Sequence, residues 1–143
     1  MKRHQADDEV SIRTVLDYLN VCHDGYLRRI SFIKDRDYTS EGNVFYPYEK
    51  EGDEIKCDID VELLLDSYKD ALPQQVVVLH FKEVRSFQFF QEKTFDYSEI
   101  YEVIFNKSGE SEFEFIFRAR VGVDRIDMLR IICSKIICTE LGK

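Results

Sequence analysis

Residues 55–65 read Ile-Lys-Cys-Asp-Ile-Asp-Val-Glu-Leu-Leu-Leu. Ile55, Cys57, Ile59, Val61, Leu63 and Leu65 occupy alternate positions, with Lys56, Asp58, Asp60 and Glu62 between them. Side chains alternate faces along a strand, so the stretch predicts a half-buried β-strand with an acidic outer face. It implies a sheet with one wet, negative side.

Working outward, Gln75–Lys82 contains Val76-Val77-Val78-Leu79, which is apolar on both faces and predicts a central strand covered on both sides. Val84–Gln91, with Phe87, Phe89 and Phe90, alternates less cleanly and predicts a further strand after a kink. Residues 66–75 read as a loop, or a turn of helix ending before Pro73. On the other side, residues 35–54 form a long connection with a short strand expected at Asn43–Tyr46. Tyr26–Ile33 predicts a strand with Tyr26, Arg28, Ile30 and Phe32 in one row. Residues 7–21 predict a helix capped by Asp7 or Asp8, with Ile12, Val15, Leu16 and Leu19 as its apolar stripe.

Towards the C-terminus, Glu99–Phe105 and Glu112–Val121 predict two strands joined by a hairpin. Phe113, Phe115, Phe117, Ala119 and Val121 form the inner row of the second. A three-residue loop, Lys107–Gly109, would set Val103 against Phe113 and Tyr101 against Phe115, placing apolar residues together. Residues 126–141 fit both periods, but their four isoleucines at 131, 132, 136 and 137 favour a strand. The expected architecture is one α+β domain over 1–143: an N-terminal helix packed on a curved, mostly antiparallel sheet of six to seven strands, open or barrel-like.

The 143 residues are 44% hydrophobic and 34% charged, which fits one globular domain with a core of its own. The net charge of −8 disfavours partners that are themselves polyanions, so neither nucleic acid nor an anionic membrane surface is expected. A basic protein partner is favoured instead. Residues 4–9 are polar, so no secretory apolar segment is read there. Cys22, Cys57, Cys133 and Cys138 make no CxxC pair and are expected as buried, reduced thiols in a cytoplasmic protein.

His23-Asp24 is the best short polar constellation, since an imidazole beside a carboxylate can serve as a base or a metal ligand. Asp24 before Gly25 equally serves a turn, and no nucleophile or third ligand stands near. His80 reads as a strand histidine with a satisfied hydrogen bond. Asp58, Asp60 and Glu62 lie ~6.5–7 Å apart along a strand, too far for a compact metal cage. Glu112 and Glu114, with Glu110, form a second acidic stripe, which would merge with the first if the two strands share a sheet. No glycine-rich nucleotide loop, GxSxG or HExxH motif occurs, so neither cofactor nor metal is expected.

Cys22-His23-Asp24-Gly25-Tyr26-Leu27-Arg28-Arg29-Ile30-Ser31-Phe32 is similar to the opening of small bacterial β-rich immunity-protein-like domains: a helix, His-Asp, then a strand. Val78–Phe87 resembles their middle strand pair, and Leu129–Cys133 their last strand. The resemblance implies an α+β fold and, in some members, neutralisation of a toxin by tight binding. The leading expectation is therefore a non-enzymatic binding module. Asp58, Asp60, Glu62, Glu112 and Glu114 would meet a basic partner, with Tyr38, Tyr46 and Tyr48 as aromatic anchors. The alternatives are a small-molecule-binding or catalytic barrel lined by Phe89, Phe113, Phe115 and Phe117, and a homo-oligomer joined through an edge strand.

Overall fold

The computed structural model describes residues 2–34, 37–45, 57–65, 75–91 and 99–142. In chain order they form β1 (Lys2–Ala6), α1 (Glu9–Tyr18), β2 (Tyr26–Ile33), β3 (Asp37–Tyr38), β4 (Val44–Phe45), β5 (Cys57–Leu65), β6 (Gln75–Val84), β7 (Ser86–Phe89), β8 (Ile100–Lys107), β9 (Phe113–Val121), β10 (Asp124–Cys133) and β11 (Lys135–Gly142). The fold is mostly β, with α1 as its α-helix among the described residues. That helix is not long and apolar enough to cross a membrane.

The expected single curved sheet is instead two antiparallel sheets, neither closed into a barrel. One has five strands in the order β1-β11-β6-β5-β2, and the other four in the order β7-β10-β9-β8. β3 and β4 form a separate two-stranded ribbon, where a lone strand at Asn43–Tyr46 was expected. The division comes from two sharp corners. At Arg85 the chain passes from β6 into β7, and at Ser134 from β10 into β11. Pairing continues around the bend, with Arg85 N–H donating to Ile132 O and Ser134 N–H to Lys82 O. Glu83, at φ +55°, is the left-handed residue that turns the strand. β6 is central in its sheet as expected, but it is covered on one side: Val77, Leu79 and Phe81 are buried, while Val76, Val78 and His80 on the outer row are half-buried.

In β5, Ile59, Val61, Leu63 and Leu65 are buried while Asp58, Asp60 and Glu62 stand half-buried on the reverse. The inner rows of the two sheets face one another. Phe81 of β6 packs edge-on against Phe115 and Phe117 of β9, with centroids 5.2 and 6.0 Å apart. Phe113, Phe115 and Phe117 are thus filled in by neighbouring rings, and Phe89 is exposed at the sheet edge. Burying one large apolar side chain contributes ~1.5–3 kcal/mol, so each ring of this row is a substantial part of the core's stability.

α1 is shorter than residues 7–21. Asp8 caps it, accepting from Ser11 N–H at 2.7 Å, and Ser11 Oγ accepts in return from Asp8 N–H at 3.2 Å. Those bonds hold the Asp8 carboxyl below its ordinary range. Ile12, Val15 and Leu16 are buried in the same core cluster as the sheet residues. The helix ends because Asn20, Val21 and Cys22 turn left-handed, with φ of +52°, +48° and +58°. L-residues adopt this at a cost of ~1–2 kcal/mol each, so the surroundings must impose it.

Two registers differ from expectation. In β2 a bulge between Leu27 and Arg29 resets the alternation, so Leu27, Ile30 and Phe32 share the row of buried Leu63, Val61 and Ile59. Tyr26 is shifted to the outer row, opposite Leu64. The β8–β9 hairpin pairs Lys107 with Phe113 and Phe105 with Phe115, so its loop is the five residues 108–112. The expected register is off by four residues along β8: Phe113 faces Lys107 rather than Val103, and Ser108 N–H closes the turn on Glu112 O. Apolar residues still face apolar ones, with Val103 opposite Phe117. Residues 126–141 are strand throughout, apart from the corner at Ser134, and β11 rather than Leu129–Cys133 is the last strand. The expected loop at 66–75 falls, up to residue 74, outside the described residues.

Candidate functional site

The outer face of the five-stranded sheet carries an ordered array of polar side chains. Antiparallel pairing sets Asp60 opposite His80. His80 Nδ1 lies 2.8 Å from Asp60 Oδ1, and His80 Nε2 lies 3.1 Å from Thr139 Oγ1 on β11. An ionised carboxylate only accepts, so Nδ1 bears the hydrogen. In the neutral ring Nε2 then accepts from the Thr139 hydroxyl. The same register brings Lys82 Nζ to 3.1 Å from Asp58 Oδ2, and the bend lets Glu83 N–H donate to Asp58 Oδ1 at 3.1 Å. Arg28, re-aimed by the β2 bulge, reaches Glu62 at 3.3 Å. Each expected acidic residue of β5 therefore has its own basic partner, and the face is a ladder of paired charges.

Apolar side chains flank the ladder. Tyr26 and Leu64, directly opposite one another, are 46% and 40% exposed. At the other end Ile33 is 37% exposed, opposite Asp58. Towards β11, Ile137 is buried beside His80, and Val78 lies half-buried opposite Thr139.

The second stripe lies on a different sheet. Glu114 is on β9, where Arg130 reaches it at 3.6 Å, and Glu112, in the preceding loop, is held by Arg85 at 3.0 Å. Arg118 bridges Glu102 and Asp127, completing an ion-pair network on the outer face of the four-stranded sheet. The two stripes do not merge, because β5 and β9 belong to different sheets.

His23 and Asp24 form a third cluster. His23 Nδ1 lies 3.1 Å from Asp24 Oδ2, and both side chains are partly exposed. Tyr101, the extra residue of a bulge between Ile100 and Glu102, sets its ring 5.3 Å from that of His23. The Arg125 guanidinium lies 4.0 Å above the Tyr101 ring. Asp24 is itself left-handed, at φ +61°. The segment is fixed by Asp24 N–H donating to Ile100 O and Ile100 N–H to Gly25 O. Gly25 is required there, since a Cβ would stand 2.8 Å from Leu65 Cδ2 and 3.0 Å from Cys22 O. The cluster orders a histidine between a carboxylate and an aromatic ring.

No group of three or more His, Cys, Asp or Glu side chains among the described residues could hold a metal ion. Cys22, Cys133 and Cys138 are buried and unbridged, and burial pushes the Cys133 and Cys138 thiols up to about 12. Tyr46 and Tyr48 lie outside the described residues, while Tyr38 on β3 is 70% exposed. The sequence pointed to Asp58, Asp60 and Glu62 but missed Thr139, Lys82 and Arg28 as their companions. A signal existed for Lys82: Asp-x-Asp on β5 run antiparallel to His-x-Lys on β6 pairs opposite charges at both positions. No protein-family model, curated protein or solved structure matches the chain.

Proposed function

We propose that the chain is a protein-binding module that meets a basic protein on the outer face of its β2–β5 edge. The observation that supports this most is the exposed Tyr26–Leu64 pair set directly beside the Arg28–Glu62 ion pair. Aromatic residues and arginine dominate the centres of protein interfaces, and a preformed ladder loses little entropy on docking. The surface is a sheet face, suited to a macromolecule rather than to enclosing a small ligand. With its carboxylates paired locally, long-range attraction comes from the net charge of −8 and acts on the association rate. The ladder sets register. The helix is read as packing on the inner side, where Arg13 lies 4.5 Å over Phe105 of β8 and the Tyr18 ring lies tilted 5.4 Å from that of His4 of β1, which leaves the outer face open. In the immunity-type version of this reading the partner is a basic toxin, met in the cytoplasm.

The test is binding to a partner captured from the native lysate, with Tyr26→Ser and Leu64→Ser combined. Affinity is expected to fall about 30-fold, the loss of one to two hot-spot contacts. Reversing Asp58, Asp60 and Glu62 to lysine should slow association and flatten its salt dependence. Unchanged affinity in a folded Tyr26/Leu64 double variant would overturn the assignment of this face.

A further inference from the structure

Asp60, His80, Thr139 and Arg3 stand on four successive strands, β5, β6, β11 and β1, on the outer face of one sheet. The neighbouring pairs, Asp58–Lys82 and Glu62–Arg28, are two-membered ion pairs. His80 alone is held between a carboxylate at 2.8 Å and a hydroxyl at 3.1 Å. A nucleophile within reach of a base, itself oriented by a third group, is the geometric signature of nucleophilic catalysis. Arg3 lies directly opposite Thr139, is exposed, and has no ion pair among the described residues.

We propose that this row is an acyl-transfer site, beyond partner binding, that takes an activated ester carrying a carboxylate. Thr139 Oγ attacks the ester carbonyl carbon while its proton passes to His80 Nε2. Asp60 accepts from Nδ1–H throughout and steadies the imidazolium. The tetrahedral intermediate collapses, the bond from carbon to the leaving oxygen breaks, and His80 returns its proton to that oxygen. Thr139 is left as an acyl ester, which water cleaves by the same route to release a carboxylic acid. Backbone N–H groups in this part of the face serve the sheet ladders and do not form a peptide oxyanion hole. Positive charge for the developing oxyanion and for the donor's carboxylate therefore comes from Arg3. Val78 and Ile137 supply an apolar floor beside the nucleophile. Because Arg3 is exposed and its charge is screened, only esters with good leaving groups are expected to react.

The experiment incubates the full chain with para-nitrophenyl acetate and with its analogue carrying a carboxylate on the leaving-group ring, then maps the acetyl group by peptide mass spectrometry. The expected result is a burst of nitrophenolate and acetylation at Thr139. Asp60→Asn and His80→Gln should each slow the burst by roughly 100-fold. Thr139→Ser should keep it, and Asp127→Asn, in the ion-pair network of the other sheet, should leave it unchanged. Arg3→Ala should slow reaction with the carboxylated ester while sparing the neutral one, a split that a structural role would not produce. Acetylation confined to lysines or the amino terminus of the wild-type chain overturns the proposal, and needs no variant to fold. Equal bursts from wild type and Thr139→Val would do the same.

Discussion

Phe81→Ala probes the joint between the two sheets. Phe81 is fully buried on β6 and meets Phe115 and Phe117 of β9 at centroid distances of 5.2 and 6.0 Å. Truncating a buried phenylalanine costs about 3–5 kcal/mol, from lost transfer energy plus the cavity left behind. The ring pairing alone contributes about 0.5–1.5 kcal/mol. Stabilities of such domains are about 5–15 kcal/mol, so the variant should lose at least about a fifth of the total. At about 2–4 °C per kcal/mol, Tm should drop by roughly 6–20 °C. Urea unfolding followed by circular dichroism measures this as a lower midpoint with an unchanged slope. A double-mutant cycle of Phe81→Leu with Phe115→Leu should show coupling of at least about 0.5 kcal/mol. A loss below about 1 kcal/mol, or no coupling, would show that the sheets do not meet through these rings.

A cycle of Asp60→Asn with His80→Ala should give a coupling of about 0.5–1.5 kcal/mol, and one of Asp58→Asn with Lys82→Met about 0–1 kcal/mol, because both pairs remain partly hydrated; equal zeros would show that the His80 bonds are not formed in solution. The hydrogen bond from Tyr18 to buried Glu140, and then burial, raises the Tyr18 phenol to about 12 from 10.0. A folded pKa raised above the unfolded one contributes stability that is complete below pH 10 and lost as pH rises towards 12, so Tyr18→Phe should flatten the fall in stability across that window; an identical alkaline profile would contradict the bond. Burial raises all four thiols, and half-buried Cys57 should be alkylated well before Cys22, Cys133 and Cys138 under native conditions. Mass mapping that found Cys22 or Cys133 modified first would contradict the core as described.

The strands β5, β6 and β9 were legible because their apolar rows alternate or run unbroken, and only a sheet buries such rows. The split into two sheets left a fainter trace. The inner row of β6 holds Val77, Leu79 and Phe81, then shifts at Glu83 to Val84, and shifts again before Phe87. Leu129, Ile131 and Cys133 likewise give way to Ile136 and Cys138 across Ser134. Each break in parity is a corner, but a parity break also fits a kink within one sheet. β1 was invisible because Lys2-Arg3-His4-Gln5-Ala6 shows no apolar alternation; as an edge strand it buries Ala6 fully and His4 only in part. At the left-handed turn Asn20–Cys22, Asn20 is a local stop signal that the sequence offers, whereas Val21 disfavours the conformation. Leu19 and Cys22 are buried on either side of it, and packing imposes what propensity opposes. The acidic residues were found from one strand alone. Their pairing was not, because it depends on Lys82, His80, Thr139 and Arg28 from three other strands.

The binding face is tested most directly by site-specific photo-crosslinking to the native partner. A photoreactive residue replaces either Arg29, exposed on β2 opposite Glu62, or Arg120, exposed on β9 of the other sheet. Crosslinking to one basic protein from Arg29, with none from Arg120, is the predicted result. Crosslinking from Arg120 alone, or equally from both positions, would contradict the assignment of the β2–β5 face.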